Sequence, residues 1–175
     1  CLAHRIANGE LGQFTHCVDN DIIYIYGNGC WKEIAPLEFM ARIENGLLDD
    51  KQNKILTKFD VDRRYKIIKN YKLLQFKSLE EFDATNLLNL ENYMFDPLGL
   101  KIAKHEPKYL STIRIPYKYE SLATCPLWVK TLNEIFESNQ QKINLLQEFI
   151  GYCLVPDIKQ KKSLLLLGDT DSGKT

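Results

Sequence analysis

The sequence predicts an α+β fold in which helices accompany small antiparallel β elements and the chain closes in the first strand of an α/β unit. Three observations carry that expectation. Ile22-Ile23-Tyr24-Ile25-Tyr26 and Cys30-Trp31-Lys32-Glu33-Ile34 flank Gly27-Asn28-Gly29, which is the pattern of a β-hairpin. Apolar residues recur at helical spacing behind Pro126 and again from Gln140. The last apolar run, Ser163-Leu164-Leu165-Leu166-Leu167, is short and continuous, as in a strand covered on both faces.

In chain order, Leu2 to Ala7 reads as the end of a helix stopped near Asn8-Gly9. The hairpin follows. Pro36 suits the first turn of a helix running to about Gly46, with Leu37, Met40, Ala41 and Ile43 as its buried face. Val61 to Leu74 reads as a second helix, with Tyr65 and Ile68 facing inward. A second β-rich region spans Leu87 to Ile115, and Asp96-Pro97-Leu98-Gly99 places a type I turn inside it. Pro126 then opens a helix with Trp128, Leu132, Ile135 and Phe136 on one side, where core packing of Trp128 is favoured over base stacking. The next helix runs from about Gln140 to Leu154, with Ile143, Leu146, Phe149, Ile150 and Cys153 on one side and Pro156 as its stop. The two helices are expected to pack as a pair.

Composition narrows the function. The chain has 175 residues, 45% of them apolar and 26% charged, which excludes an intrinsically disordered chain. Lys plus Arg and Asp plus Glu are 23 each, so a strongly basic whole-chain nucleic-acid binder is excluded. No apolar run approaches the roughly 18 residues of a membrane span, so no membrane partner is expected. The opening residues lack a signal-peptide pattern, which gives the expectation of a cytoplasmic protein with reduced thiols. Cys1 is not an initiator Met and the chain stops inside a motif, so a piece of a longer protein is expected. Cys1, His4, His16, Cys17 and Cys30 are candidate zinc ligands, but no C-x-x-C pair is present, and buried thiols with surface histidines are the preferred reading.

Charge is unevenly spread. Residues 51–77 hold 9 basic and 2 acidic side chains, a net +7, between segments 1–50 and 78–100 that are each net −5. Arg63, Arg64, Lys66, Lys69 and Lys72 lie in the basic segment, with Tyr65 and Tyr71 among them. Cations for phosphates and rings for bases make this a candidate nucleic-acid contact. The other reading is a solvated basic helix, which the lack of one clean basic stripe favours.

Directly after the final apolar run stands Gly168-Asp169-Thr170-Asp171-Ser172-Gly173-Lys174-Thr175, which matches the phosphate-binding loop G-x-x-x-x-G-K-[ST]. Gly168 turns the chain out of the strand. Gly173 lets backbone N–H groups reach phosphate without a Cβ in the way, forming an anion nest with the intervening residues. Lys174 brings a positive charge to the β- and γ-phosphates of ATP, and the Thr175 hydroxyl would ligate Mg²⁺. Lys174 and Thr175 are thus the candidate catalytic residues. The helix after this loop and a second acidic motif are needed to complete the chemistry, so this chain alone is not expected to hydrolyse ATP.

His105-Glu106-Pro107, Ser111-Thr112, Tyr119, Ala123, Cys125-Pro126, Trp128, Leu146-Gln147-Glu148 and Gly151-Tyr152, together with the Tyr26-Gly27…Trp31 hairpin and the phosphate loop, resemble the spaced pattern of phage and plasmid primase–helicases of the satellite-phage and poxvirus type. Asn92-Tyr93 departs from the usual Asn-Gly of that family, and Thr170 stands where many relatives have glycine. The resemblance implies that residues 1–155 are a helicase-associated N-terminal domain. It implies that residues 163–175 begin a superfamily 3 helicase ATPase of the AAA+ type. It implies ATP and Mg²⁺ as cofactors, single-stranded or forked DNA as partner, and a homo-oligomeric, hexameric ring acting in phage, plasmid or viral replication. A non-enzymatic oligomerisation or DNA-contact module, and another P-loop NTPase or kinase, are the alternatives.

Overall fold

Alternation along Ile22-Ile23-Tyr24-Ile25-Tyr26 organises the first sheet, because successive side chains of a strand leave opposite faces. The computed structural model describes residues 5–6, 8–9, 12–49, 61–155, 159 and 161–168, with side chains except at 46–49, 61, 63 and 64. Strands β1 (Phe14–Cys17), β2 (Ile22–Gly27), β3 (Cys30–Ile34) and β4 (Phe76–Lys77) form a sheet in the order β3-β2-β1-β4. The β1–β4 pair is parallel and the others antiparallel. The expected hairpin is β2–β3, with Ile23 opposite Ile34 and Tyr26 opposite Trp31.

The isoleucine face meets two helices, α1 (Pro36–Asp49) and α2 (Val61–Leu74). Phe14, Ile23 and Ile34 from the sheet pack with Ile6, Phe39, Met40, Ile43 and Tyr71. The Phe39 ring meets Phe14 edge-on at 4.9 Å and Tyr71 at 5.1 Å. The tyrosine face carries a second, smaller core of Cys17, Trp31, Phe82 and Leu110, with Tyr24 and Tyr26 packed against it. Burial pushes the hydroxyls of Tyr26 and Tyr71 up from the ordinary tyrosine value, so both stay neutral.

Strands β5 (Leu88–Asn89), β6 (Met94–Asp96) and β7 (Lys101–Ala103) make an antiparallel second sheet. The expected turn at Asp96-Pro97-Leu98-Gly99 joins β6 to β7, and the Asp96 carboxylate accepts the Leu98 N–H at 3.0 Å. Two helices follow, α3 (Pro126–Ile135) and α4 (Gln140–Cys153). Pro126 opens α3, and Asn139 caps α4 by accepting the Lys142 N–H at 3.2 Å.

Several expectations are corrected. The first β element is a four-stranded sheet and not a hairpin alone. All four β1 residues are buried, so β1 shows no alternation to read. In α1 the buried residues are Phe39, Met40 and Ile43, whereas Leu37 is 78% exposed and Ala41 also faces solvent. At about 100° per residue, burying the large Phe39 ring turns Leu37 and Ala41 outward. In α2 the inner stripe is Ile67, Ile68 and Tyr71, and Tyr65 is 67% exposed for the same geometric reason. Trp128 is 39% exposed and belongs to neither core, because Leu132 alone is buried along α3. The Leu164–Leu167 run forms no strand among the described residues and its leucines 165–167 are exposed, since no described segment pairs with it. The expectations for Cys1, His4, Asp169–Thr175 and the Pro156 stop lie outside the described residues.

Candidate functional site

The tip of the β2–β3 hairpin is where the first sheet meets the second, and backbone groups left over at that tip are satisfied by side chains from distant segments. Asn89 on β5 donates from Nδ2 to the Gly29 carbonyl at 3.0 Å and to Ser111 Oγ at 3.2 Å. Ser111 Oγ donates to the Ile113 carbonyl. The Arg114 guanidinium bridges two loops, donating to the Asn28 carbonyl at 2.9 Å and the Glu91 carbonyl at 2.6 Å. Trp31 Nε1 donates to the Pro107 carbonyl at 2.9 Å, and the Trp31 backbone N–H donates to the Ser111 carbonyl at 2.8 Å. Cys30 Sγ donates to the Thr112 carbonyl at 3.1 Å. Burial pushes the Cys30 thiol up, which keeps the proton that this bond needs. Asp83 closes the far side by accepting from both the backbone N–H and the hydroxyl of Thr112.

His105 has a structural role here. Its Nε2 lies 2.9 Å from the Leu90 carbonyl, and a carbonyl can only accept, so Nε2 carries the proton. Its ring packs on Gly29, where an added Cβ would sit 2.7 Å from Cγ. Gly29 also has φ +79°, a conformation that L side chains rarely adopt. A Gly29→Ala variant is therefore expected to lose about 2–4 kcal/mol from backbone strain and overpacking together. Urea unfolding measures it, and a loss below about 0.5 kcal/mol, the level of ordinary surface changes, would show that the ring moves aside freely.

Several of the residues that carried the family resemblance thus hold two sheets together. The Tyr26 and Trp31 rings meet tilted at 5.3 Å, while His105, Pro107, Ser111 and Thr112 supply the bonds. They form no nucleophile–base pair. Asn92, at the departure from Asn-Gly, holds both backbone groups of Tyr119, donating to its carbonyl at 3.0 Å and accepting its N–H at 2.8 Å.

Residues 3–137 match the model of the family described as D5 N terminal like, a span that takes in this whole hydrogen-bonded clasp. The chain belongs to the D5 N-terminal-like family. The D5 N-terminal-like domain is found in primase–helicase proteins. A search of the curated proteins gives no match. The match to the D5 N-terminal-like domain ends in the turn between α3 and α4, ahead of the phosphate-loop motif.

The basic residues of the D5 N-terminal-like domain are placed unequally. Lys66 and Lys69 project from α2 into solvent, one turn apart, and Tyr65 lies beside them. Arg63 and Arg64 belong to the first turn of the same helix, but their side chains lie outside the described residues. Lys72 is engaged: its Nζ is 2.5 Å from Asp21 Oδ1, which also takes His16 Nε2 at 2.9 Å. His16 is buried, unlike the surface histidine expected. Bonds from Lys72 and then His16 hold the Asp21 carboxyl below its ordinary value. A carboxyl with a lowered folded pKa adds stability above its unfolded pKa and loses it as pH falls through the folded one. Replacing Lys72 by Met is expected to raise the Asp21 titration midpoint toward the ordinary 3.8, read by carboxyl-carbon NMR. An unmoved midpoint would show that Lys72 is free to reach other anions.

Of the phosphate loop, Gly168 is described and exposed, and Asp169 to Thr175 lie outside the described residues. A shallow pocket of about 240 Å³ lies elsewhere, lined by Ile6, Asn8, Gly9, Gln13, Phe14, Trp31 and Pro107, none of them titratable. Among the described residues no group of three His, Cys, Asp or Glu side chains is placed to hold a metal. No described helix is long and apolar enough to cross a membrane.

Proposed function

We propose that this chain is the pre-ATPase part of a DNA-replication primase–helicase and carries its Walker A loop. The observation that supports the reading is the order of its parts: a D5 N-terminal-like domain over 3–137, then an apolar run and Gly168-Asp169-Thr170-Asp171-Ser172-Gly173-Lys174-Thr175. In this reading the complete protein is an ATP-driven DNA helicase of superfamily 3 that works as a hexameric ring on single-stranded or forked DNA, in the cytoplasm of a bacterial host cell or at a site of viral replication. Backbone N–H groups of the loop and Lys174 hold the β- and γ-phosphates, and Thr175 holds Mg²⁺. Lys66 and Lys69 on α2 contribute phosphate contacts, with Arg63 and Arg64 as the neighbouring cations. ATPase activity of the complete protein with and without single-stranded DNA tests this. Stimulation by DNA supports it. Turnover indifferent to DNA points to another P-loop enzyme.

Self-association has an observation of its own. Leu127 and Val129 on α3, with Leu145 and Ile150 on α4, are exposed apolar side chains on successive helices. Where such exposed apolar groups come together as a patch, they favour burial against a partner. Sedimentation equilibrium of the chain with and without Leu127→Ser and Leu145→Ser tests this, and a monomer in both cases removes it.

A further inference from the structure

The second sheet has an inner face and an outer face, set by its register. Asn89, Met94 and Ala103 line up across β5, β6 and β7, and Asn89 and Met94 are buried. The opposite row is Leu88, Phe95 and Ile102, and it belongs to neither hydrophobic core. Leu88 and Phe95 are half-buried and Ile102 is 48% exposed.

One ring is laid over this row. Tyr119 stacks on Phe95 at 5.2 Å with the ring planes 22° apart. The two bonds from Asn92 to the Tyr119 backbone fix the tyrosine there. Tyr117, two residues earlier, is 73% exposed, and its carbonyl accepts the Glu91 N–H. Lys118 stands between the two tyrosines, and Lys104 lies just beyond β7, two residues after Ile102; both are exposed.

We propose that this outer face, built on the stacked rings of Phe95 and Tyr119 with Tyr117 and Lys118 beside them, is a platform on which unpaired bases of single-stranded DNA stack. The inference rests on the nucleic-acid part of the function proposed above. Every base has a π-face, so rings held flat on a sheet accept bases in sequence-tolerant fashion. Exposed Lys118, between Tyr117 and Tyr119 in the sequence, and exposed Lys104 supply cations for the phosphates of a strand whose bases stack on the rings. Glu91 and Glu120 are exposed along the same border, so the net attraction for phosphate is small and stacking supplies most of the affinity.

The test uses the whole chain and a fluorescein-labelled oligothymidylate of about 20 nucleotides, longer than the 4–16 nucleotides that one such surface covers. Fluorescence anisotropy gives the affinity, and iododeoxyuridine photo-crosslinking with mass spectrometry gives the site. Cross-links are expected on Tyr117 and Tyr119. Tyr117→Ala and Tyr119→Leu are each expected to weaken binding about 10-fold. Leucine keeps an apolar cover over Phe95, so fold and ring are separated. If Tyr119→Leu fails to fold, Tyr117→Ala and Lys118→Glu, both at exposed positions, decide the matter. The salt slope is expected to be shallow, with about two phosphates engaged. Unchanged affinity in these variants, with cross-links on Lys66 and Lys69, would overturn the platform and leave DNA contact standing on α2. No binding by any form of the chain would overturn both, and would turn the apolar row toward a protein partner.

Discussion

Lys174→Ala in the complete protein is expected to abolish ATP turnover, with a fall of at least about 100-fold, comparable to removal of one preorganised charge-stabilising group at other transition states. The lysine is the positive side chain of the phosphate loop, and charge on the transferring phosphoryl oxygens is what such a site stabilises. Backbone N–H groups of the loop remain in the variant, so nucleotide is still held while chemistry is lost. Steady-state ATPase assays separate the two: kcat falls by orders of magnitude and KM changes little. Stability and DNA binding are expected to stay at the parent level, because the residues that build both hydrophobic cores and both sheets all fall between Ile6 and Leu110 in the sequence. Turnover within a few fold of the parent would remove Gly168–Thr175 from the function.

Phe39→Ala is expected to lower stability by about 3–5 kcal/mol. Phe39 is fully buried and its ring bridges the sheet and the second helix, edge-on to Phe14 at 4.9 Å and beside Tyr71 at 5.1 Å. Alanine leaves a cavity between three elements, β1, α1 and α2, whose rings Phe14, Phe39 and Tyr71 meet there. Urea denaturation followed by circular dichroism measures the loss. A Leu37→Ala change in the same helix is the control, because Leu37 is exposed and its loss is expected within about 0.5 kcal/mol. Equal losses in the two variants would overturn the inward face assigned to α1.

Much of the fold was legible. The β2–β3 hairpin, the helix starts at Pro36 and Pro126, the span 61–74 and the turn after Asp96 all rest on chemistry within a few residues. Proline fixes φ, Gly29 supplies a positive one, and aspartate accepts a nearby N–H. The inward faces of α1 and α2 were legible only in part: Met40, Ile43 and Ile68 were read as inward and are, whereas Leu37, Ala41 and Tyr65 face out and Phe39 and Tyr71 take their place. Each helix offers more than one apolar stripe, and the choice depends on what the opposing sheet presents. Phe14 and Ile23 accept the Phe39 ring, and that fixes the rotation. Strand β1 was missed because burial on both sides removes the alternation by which strands are read.

Site residues divide in the same way. The phosphate loop is a local motif, eight consecutive residues whose spacing alone states the chemistry, and the family pattern of His105, Ser111 and Thr112 was visible as spacing too. That these last residues clasp the hairpin tip, with His105 against Gly29 and Ser111 bonded to Asn89, is a long-range fact. So is the outer row of Leu88, Phe95 and Ile102, which exists only once register aligns three strands and Asn92 lays Tyr119 across them. The sequence by itself determined the local elements, the phosphate-loop motif and the family pattern, because backbone preference and motif spacing act over a few residues. Tertiary structure alone decided which faces are buried, that Lys72 is bound to Asp21 while Lys66 and Lys69 are free of burial, and which aromatic rings meet, because those outcomes depend on residues brought together from distant parts of the chain.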